Sequence, residues 1–369
     1  MLEDGRGSDR RTFIRAGTLA LGGLAAARAR AQAAPVFVPK VNDAINIHPL
    51  RLFGTDPNPA SPLIIPELIA RQLELVYELG FDSARFTVPL SIRGDFFAGL
   101  TYARVARAIG IDAVVVVSDF AGFALAGALS DERKRLAVLR LYQDLFRPVI
   151  PPTGPRRTPG RIAFQILNEP AHFLGIPPDF YVRQILQPCF QYLRANDPDG
   201  LTVGAAEVGN ADGPERMRQM LDSGLEESCD RVAYHVYSRG IVPKLRNNVR
   251  GLTWVTESGV ADPARHLPWV QEVFPEIRRT LPEVSRVFYY DLYDPDPRRF
   301  RVVDIVPRGA SFEVVVESPE LIAYWRGRVT AAAAGARLLT FRDIVPDMTP
   351  FLPTAADVRL YDETLRLIK

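Results

Sequence analysis

Eight short apolar, β-prone runs recur along the chain, and segments of helical spacing lie between most of them. The runs are Ala44–His48, Ser83–Val88, Ala113–Val117, Ile162–Leu167, Leu201–Ala206, Val232–Tyr237, Leu252–Thr256 and Arg286–Asp291. Helical spacing marks Ser61–Leu79, where Leu63, Ile64, Leu68, Ile69, Leu73, Leu75, Val76 and Leu79 fall on one stripe. The same rule holds for Asp131–Phe146, Pro178–Ala195, Pro214–Leu221 and Asp262–Leu281. Strands that alternate with helices pair in parallel, each crossover covering the sheet. Eight such units imply a (β/α)8 barrel. The sixth crossover, Ser238–Gly251, carries no helical pattern. The competing architecture is an open doubly wound sheet. Its usual nucleotide motifs are missing: no Gly-x-Gly-x-x-Gly follows the first strand, and no Gly-x-x-x-x-Gly-Lys-Ser/Thr occurs.

After the eighth run the pattern changes. Phe300–Val306 and Ser311–Val316 flank Pro307-Arg308-Gly309-Ala310, which reads as an inserted β-hairpin. Helical patterns at Glu320–Ala334 and Ala355–Leu367 close the chain, and Pro148–Pro159 is a Pro/Arg-rich loop below the fourth strand. With 369 residues, 47% of them hydrophobic, the chain can bury one core of barrel size. After the N-terminus no run of about 18 apolar residues could span a bilayer.

The first 33 residues read as a leader rather than fold. Arg10 and Arg11 precede Phe13, an apolar run follows from Ala16 to Ala27, and Ala31-Gln32-Ala33 has the form of a cleavage site. This segment resembles a twin-arginine export signal, which implies the twin-arginine machinery as a partner and a periplasmic or secreted destination. Residues 34–369 would then be the folded domain. Without the leader the charge falls from +2 to −1, so nothing points to nucleic acid or an anionic membrane as partner. Cys189 and Cys229 could be oxidised in an exported protein. The four histidines and two cysteines lack zinc-ligand spacing, so no metal or cofactor is expected.

The chemistry gathers at the carboxyl ends of the runs. Pro170 cannot donate to a ladder, so the fourth strand stops there and Glu169 stands at its exit. The seventh ends on Glu257. The second holds Arg85, and the sixth holds His235 and Tyr237, two apart and on one face. In a barrel these ends share one mouth.

Four pieces carry a resemblance: Ala84-Arg85-Phe86, Leu167-Asn168-Glu169-Pro170, His235-Val236-Tyr237 and Val255-Thr256-Glu257-Ser258-Gly259. In order and strand position they are similar to the clan A glycoside hydrolases, especially families 5 and 39. The resemblance covers roughly residues 40–295 by architecture and about fifteen by motif. It implies a retaining β-glycosidase acting on an oligo- or polysaccharide, with Glu169 as acid/base and Glu257 as nucleophile. Such a pair needs carboxyls about 5–5.5 Å apart. Asn168 would bind the sugar 2-hydroxyl. Tyr237 and Arg85 would hold Glu257 ionised and oriented, and His235 would line the sugar site near Glu169.

The chain departs from the family 5 pattern twice. Val117-Ser118-Asp119-Phe120 stands where that family has a histidine. Phe288-Tyr289-Tyr290-Asp291-Leu292-Tyr293 stands where it has a tryptophan, so the sugar platform falls to Tyr289 or Tyr290. Glu207, Asp119 and Asp291 lie near strand ends and are candidates to touch substrate. His48 and His172 could line the mouth or be structural. Phe120, Phe123 and Phe173 could stack on sugar or simply pack. Two other functions fit the same residues: a carbohydrate-binding pseudoenzyme, and a transglycosylase that passes the glycosyl group to a sugar.

Overall fold

The computed structural model describes residues 36–37, 43–47, 66–119, 123–207, 212–246, 251–293, 300–308, 311–334 and 336–369. The expected leader, His48 and Phe120 lie outside these residues, as does the side chain of Phe123.

Eight parallel strands form the centre. They are β1 (Ala44–Asn46), β2 (Ser83–Pro89), β3 (Asp112–Ser118), β4 (Ile162–Ile166), β5 (Leu201–Val203), β6 (Val232–Val236), β7 (Thr253–Ser258) and β8 (Val284–Tyr289). Each pairs with its neighbour in sequence, and β8 returns to β1 through Ala44–Phe288 and Ile45–Tyr289. The last joint, β5 to β6, is a single parallel bridge between Val203 and Arg231. The sheet therefore closes into a (β/α)8 barrel, as the alternation of runs and helices implies.

Alternation along each strand sorts its side chains. Ala44, Val114, Ala163, Val203, Ala233, Trp254 and Phe288 form one buried cluster that fills the barrel interior. Their strand neighbours Ile45, Val115, Phe164, Tyr234, Val255 and Tyr289 belong to the larger cluster between sheet and helices. One step further toward the carboxyl ends, the inward positions turn polar: Asn46, Gln165 and His235, all buried. The floor of the site is thus the apolar plug of the barrel.

Helices Pro66–Glu78, Glu132–Phe146, Gly213–Asp222 and His266–Thr280 match the expected segments. The Pro178–Ala195 pattern is a helix with a π-helical stretch at Tyr181–Leu186, ending at Asn196. Two crossover helices, Arg93–Ala108 and Phe123–Ser130, leave no amphipathic mark. The first is buried on every side from Phe96 to Ala108, Arg104 and Arg107 included, so it has no polar stripe to reveal it. Among its described residues, the sixth crossover holds the short elements Arg239–Ile241 and Val242–Leu245.

The hairpin is present as β9 (Val303–Arg308) and β10 (Ser311–Val316), antiparallel from Val303–Val316 to Arg308–Ser311. Pro307 and Arg308 prolong β9 rather than forming the turn. Ile305 packs on Leu68 and Tyr293, with Val314 beside it, which seats the hairpin on the Pro66–Glu78 helix. Cys189 and Cys229 are both buried free thiols, so no disulfide links them.

Candidate active site

Glu169 leaves β4 on a turn of unusual backbone. Leu167 has φ 63° and Glu169 φ 45°, both left-handed, and neither is glycine. Such conformations cost about 1–3 kcal/mol each and persist only where the surroundings impose them. Pro170 adds to the restriction, since a residue before proline favours extended backbone. The turn directs the Glu169 side chain into the barrel mouth, where it is 3% exposed.

Glu257 reaches the mouth by a different device. Trp254 faces the barrel interior, so strict alternation would send Thr256 inward and Glu257 outward. The β6–β7 register shifts instead: Tyr234 pairs with Val255, and His235 pairs with Glu257. Thr256 is the extra residue of a bulge, which re-aims Glu257 inward. Asn46 secures this bulge. Its amide donates to the Thr256 carbonyl at 2.9 Å and to the Tyr289 carbonyl at 3.2 Å. Gly259 follows because a Cβ there would stand 2.0 Å from the Tyr290 carbonyl oxygen.

Arg85 organises the inner wall. Its Nε donates to Gln165 Oε1 at 2.8 Å and its Nη2 to Asn168 Oδ1 at 2.7 Å. Its Nη1 donates to Asn46 Oδ1 and to Glu257 Oε1, both at 2.8 Å. The Tyr237 hydroxyl donates to the other oxygen, Glu257 Oε2. Burial, and then the negative charge of Glu257, push the Tyr237 hydroxyl well above the usual phenol range, so it stays a donor. Glu257 thus receives a guanidinium on one oxygen and a phenol on the other.

Glu169 faces a different partner. His235 Nδ1 lies 2.5 Å from Glu169 Oε1, and His235 Nε2 lies 3.4 Å from Glu257 Oε1. The imidazole stands between the two carboxyls, with one nitrogen toward each. Asn168 Oδ1 is taken by Arg85 and Gln165, which leaves its NH2 as the group to meet a ligand.

One ligand atom from each of Glu169, His235 and Glu257 lies within 4.8 Å of the other two. Two carboxylates and an imidazole are also a metal-ligand set. Of the three, Glu257 is also paired with the Arg85 guanidinium, at 2.8 Å.

The six inner-wall residues expected from the sequence, Arg85, Asn168, Glu169, His235, Tyr237 and Glu257, come together. The two tyrosines of β8 divide. Tyr290 faces the mouth with its ring 5.7 Å from that of Tyr237. Tyr289 does not belong to the site. It is the outward neighbour of Phe288, fully buried against Trp325, His266 and Phe274. Phe300, at the base of the hairpin, completes an aromatic wall with centroids 5.5 Å from both Tyr237 and Tyr290. Sequence reasoning missed Asn46, Gln165 and Phe300. Only Gln165 carried a signal, as the one polar residue of an otherwise apolar strand. Of the other candidates, Glu207 is buried beside the Glu169 turn, Asp291 is buried, and Asp119 meets Ser91 on the rim. His172 is exposed against Phe173, which is itself 66% exposed.

No protein-family profile and no curated protein matches the chain. Solved structures share its fold. A family 51 alpha-L-arabinofuranosidase from Bifidobacterium longum superposes with TM-score 0.50 at 12% identity, over 82% of this chain and 74% of that one. An endo-1,4-beta-mannanase from Rhizomucor miehei gives TM-score 0.50 at 13% identity, over 82% of this chain and 100% of that one. A glucosidase from Croceicoccus marinus gives TM-score 0.50 at 12% identity, over 82% and 69%.

Proposed function

We propose that this chain is a glycoside hydrolase that cleaves β-glycosidic bonds of an oligo- or polysaccharide with retention at the anomeric carbon. The observation that carries the reading is the pair Glu169 and Glu257, on opposite sides of one mouth, with ligand atoms within 4.8 Å. That separation suits a retaining pair, and inverting pairs stand about 6.5–9.5 Å apart. Their surroundings differ as their tasks require. Glu257 has Arg85 and Tyr237 on its two oxygens, which favours the carboxylate that attacks. Glu169 has only the imidazole as side-chain partner among the contacts above, and it exchanges a proton with the leaving oxygen and then with water. The barrel shared with glycosidases of known structure fits this reading.

The reaction follows in two steps. Glu257 attacks the anomeric carbon while Glu169 gives its proton to the departing oxygen. Water then attacks the glycosyl-enzyme as Glu169 takes a proton from it. The test is a panel of aryl β-glycosides and glucans, with the two variants alongside. Glu257→Ala loses turnover on every glycoside. Glu169→Ala is still glycosylated by substrates with good leaving groups, then stalls, and azide releases a β-glycosyl azide. Reversed behaviour of the two variants swaps the roles, and an inverted product removes the mechanism.

The twin-arginine leader extends this proposal to an exported enzyme. Replacing Arg10 and Arg11 by lysine should trap the precursor in the cytoplasm, and unchanged export would remove that part.

A further inference from the structure

Glu207 is a third buried carboxylate beside the proposed pair, 1% exposed at the carboxyl end of β5. The proposed two-step reaction gives it no task. Its contacts lie along the strained turn. The Ala171 amide donates to Glu207 Oε1 at 2.8 Å, and the Glu169 amide donates to the Ala206 carbonyl at 3.0 Å. One step earlier, the Tyr181 hydroxyl donates to the Ile166 carbonyl and accepts from the Ala205 amide, each at 2.7 Å. Residues 205, 206 and 207 therefore tie, in succession, the end of β4, the Glu169 backbone and the residue just past Pro170. Arg216 Nη1, on the Gly213–Asp222 helix, lies 3.7 Å from the second oxygen, Glu207 Oε2.

Of residues 205, 206 and 207, Glu207 alone makes its tie through its own side chain, which can be exchanged without altering the backbone. A buried carboxylate is costly unless its oxygens are hydrogen-bonded, and the Ala171 amide supplies such a bond. Burial, and more weakly the charge of Glu169, raise the Glu207 carboxyl above its usual range, while the Ala171 amide and Arg216 pull it down. The strain at Glu169 is the dependent feature. A left-handed residue before proline relaxes unless both flanks are held, and Glu207 holds the far flank.

We propose that Glu207 is a positioning residue for the acid/base: by accepting the Ala171 amide it holds the Leu167–Pro170 turn in the conformation that aims Glu169 at the leaving oxygen. The inference rests on the glycosidase reading above. Glu207 takes no part in bond making. Its loss therefore harms the steps that use Glu169 as acid or base and spares the attack by Glu257.

The experiment compares Glu207→Leu, Glu207→Gln and wild type on 2,4-dinitrophenyl and alkyl β-glycosides of the preferred sugar. Dinitrophenolate leaves without protonation, so its burst reports attack by Glu257 alone. Glu207→Leu should keep a burst rate within a few-fold of wild type. It should lose about 10²-fold on alkyl glycosides, the scale of a 1 Å misplacement, and azide should restore its steady-state rate. Glu207→Gln keeps an oxygen for the Ala171 amide and should recover most of the alkyl-glycoside rate. Should Glu207→Leu fail to melt cooperatively, Glu207→Asp, which retains charge but falls short of Ala171, carries the same expectation. Equal losses on both substrate classes, wild-type rates in Glu207→Leu, or a Gln variant no better than Leu would overturn the proposal. A wild type inactive on every aryl β-glycoside would overturn the glycosidase reading itself, and the positioning role with it.

Discussion

The side-chain amide of Asn46, on β1, donates to the backbone carbonyl of Thr256 on β7, 210 residues away in sequence. That bond holds the bulge which turns Glu257 into the mouth. Asn46 also accepts from Arg85, so one small side chain sets both the proposed nucleophile's backbone and the cation beside it. Asn46→Ala should lower kcat/KM by about 10²-fold, as expected for misplacement of a reacting group. It should also leave two buried carbonyls without this donor, at about 1–3 kcal/mol of stability. Kinetics on an aryl β-glycoside, with a denaturant melt, would check both; an active Asn46→Ala variant would mean that the bulge holds without its clasp.

Phe173 is the most exposed large apolar side chain among the described residues and stands one turn beyond Glu169, its amide donating to the Glu169 carbonyl at 2.9 Å. An acid/base lies on the leaving-group side of the bond it cleaves, so a sugar on that side passes near this ring. Phe173→Ala should raise KM for oligosaccharides several-fold, in line with the loss of about 1 kcal/mol of stacking. Hydrolysis of an aryl glycoside with a small leaving group should not change. A uniform effect on both substrates would place Phe173 outside the binding path.

Asp95 supplies a pH signature of stability. Burial pushes its carboxyl up from 3.8 to about 6, despite its place in the first turn of the Arg93–Ala108 helix. Between about pH 4 and 6 the unfolded chain has released this proton while the folded chain still holds it. The unfolded state then binds fewer protons, and this group's contribution to stability falls as pH rises through that window. Asp95→Asn should therefore melt above wild type at pH 7 and level with it below pH 4. Calorimetry at the two values decides; a difference of the opposite sign would show the charge to be stabilising.

Both thiols are sealed. Burial pushes Cys189 and Cys229 up to about 12, so neither forms thiolate near neutral pH. A thiol reagent should label neither cysteine in the native protein and both in denaturant. Fast native labelling of either would contradict this packing.

The barrel was legible in the sequence because its crossover helices are mostly amphipathic and its strands mostly apolar. The Arg93–Ala108 helix escaped notice because it is buried all round. The inner wall was legible where a strand end coincided with a charged residue, as at Glu169 and Glu257. How Glu257 comes to face inward was not, since the bulge at Thr256 overrides the alternation that Trp254 begins. Asn46 stands in a strand of three residues, too short to show a pattern. The choice between Tyr289 and Tyr290 required the register of β8, which Phe288 fixes by lying inside the barrel.

The joint between β5 and β6 is the least-bonded seam in the ring of strands. Every other seam is a ladder, whereas here one bridge, Val203 to Arg231, joins the strands, with the amides of Gly204, Asp230 and Arg231 around it and the Asp230 carboxylate accepting from the Thr202 amide. Local opening costs least where few backbone hydrogen bonds cross. Glu169 and Glu207 follow β4 and β5 on one side of this seam, and His235 and Glu257 lie on β6 and β7 on the other. The contact of Glu169 with His235 thus spans the least-bonded joint of the barrel, and it depends on that joint being closed.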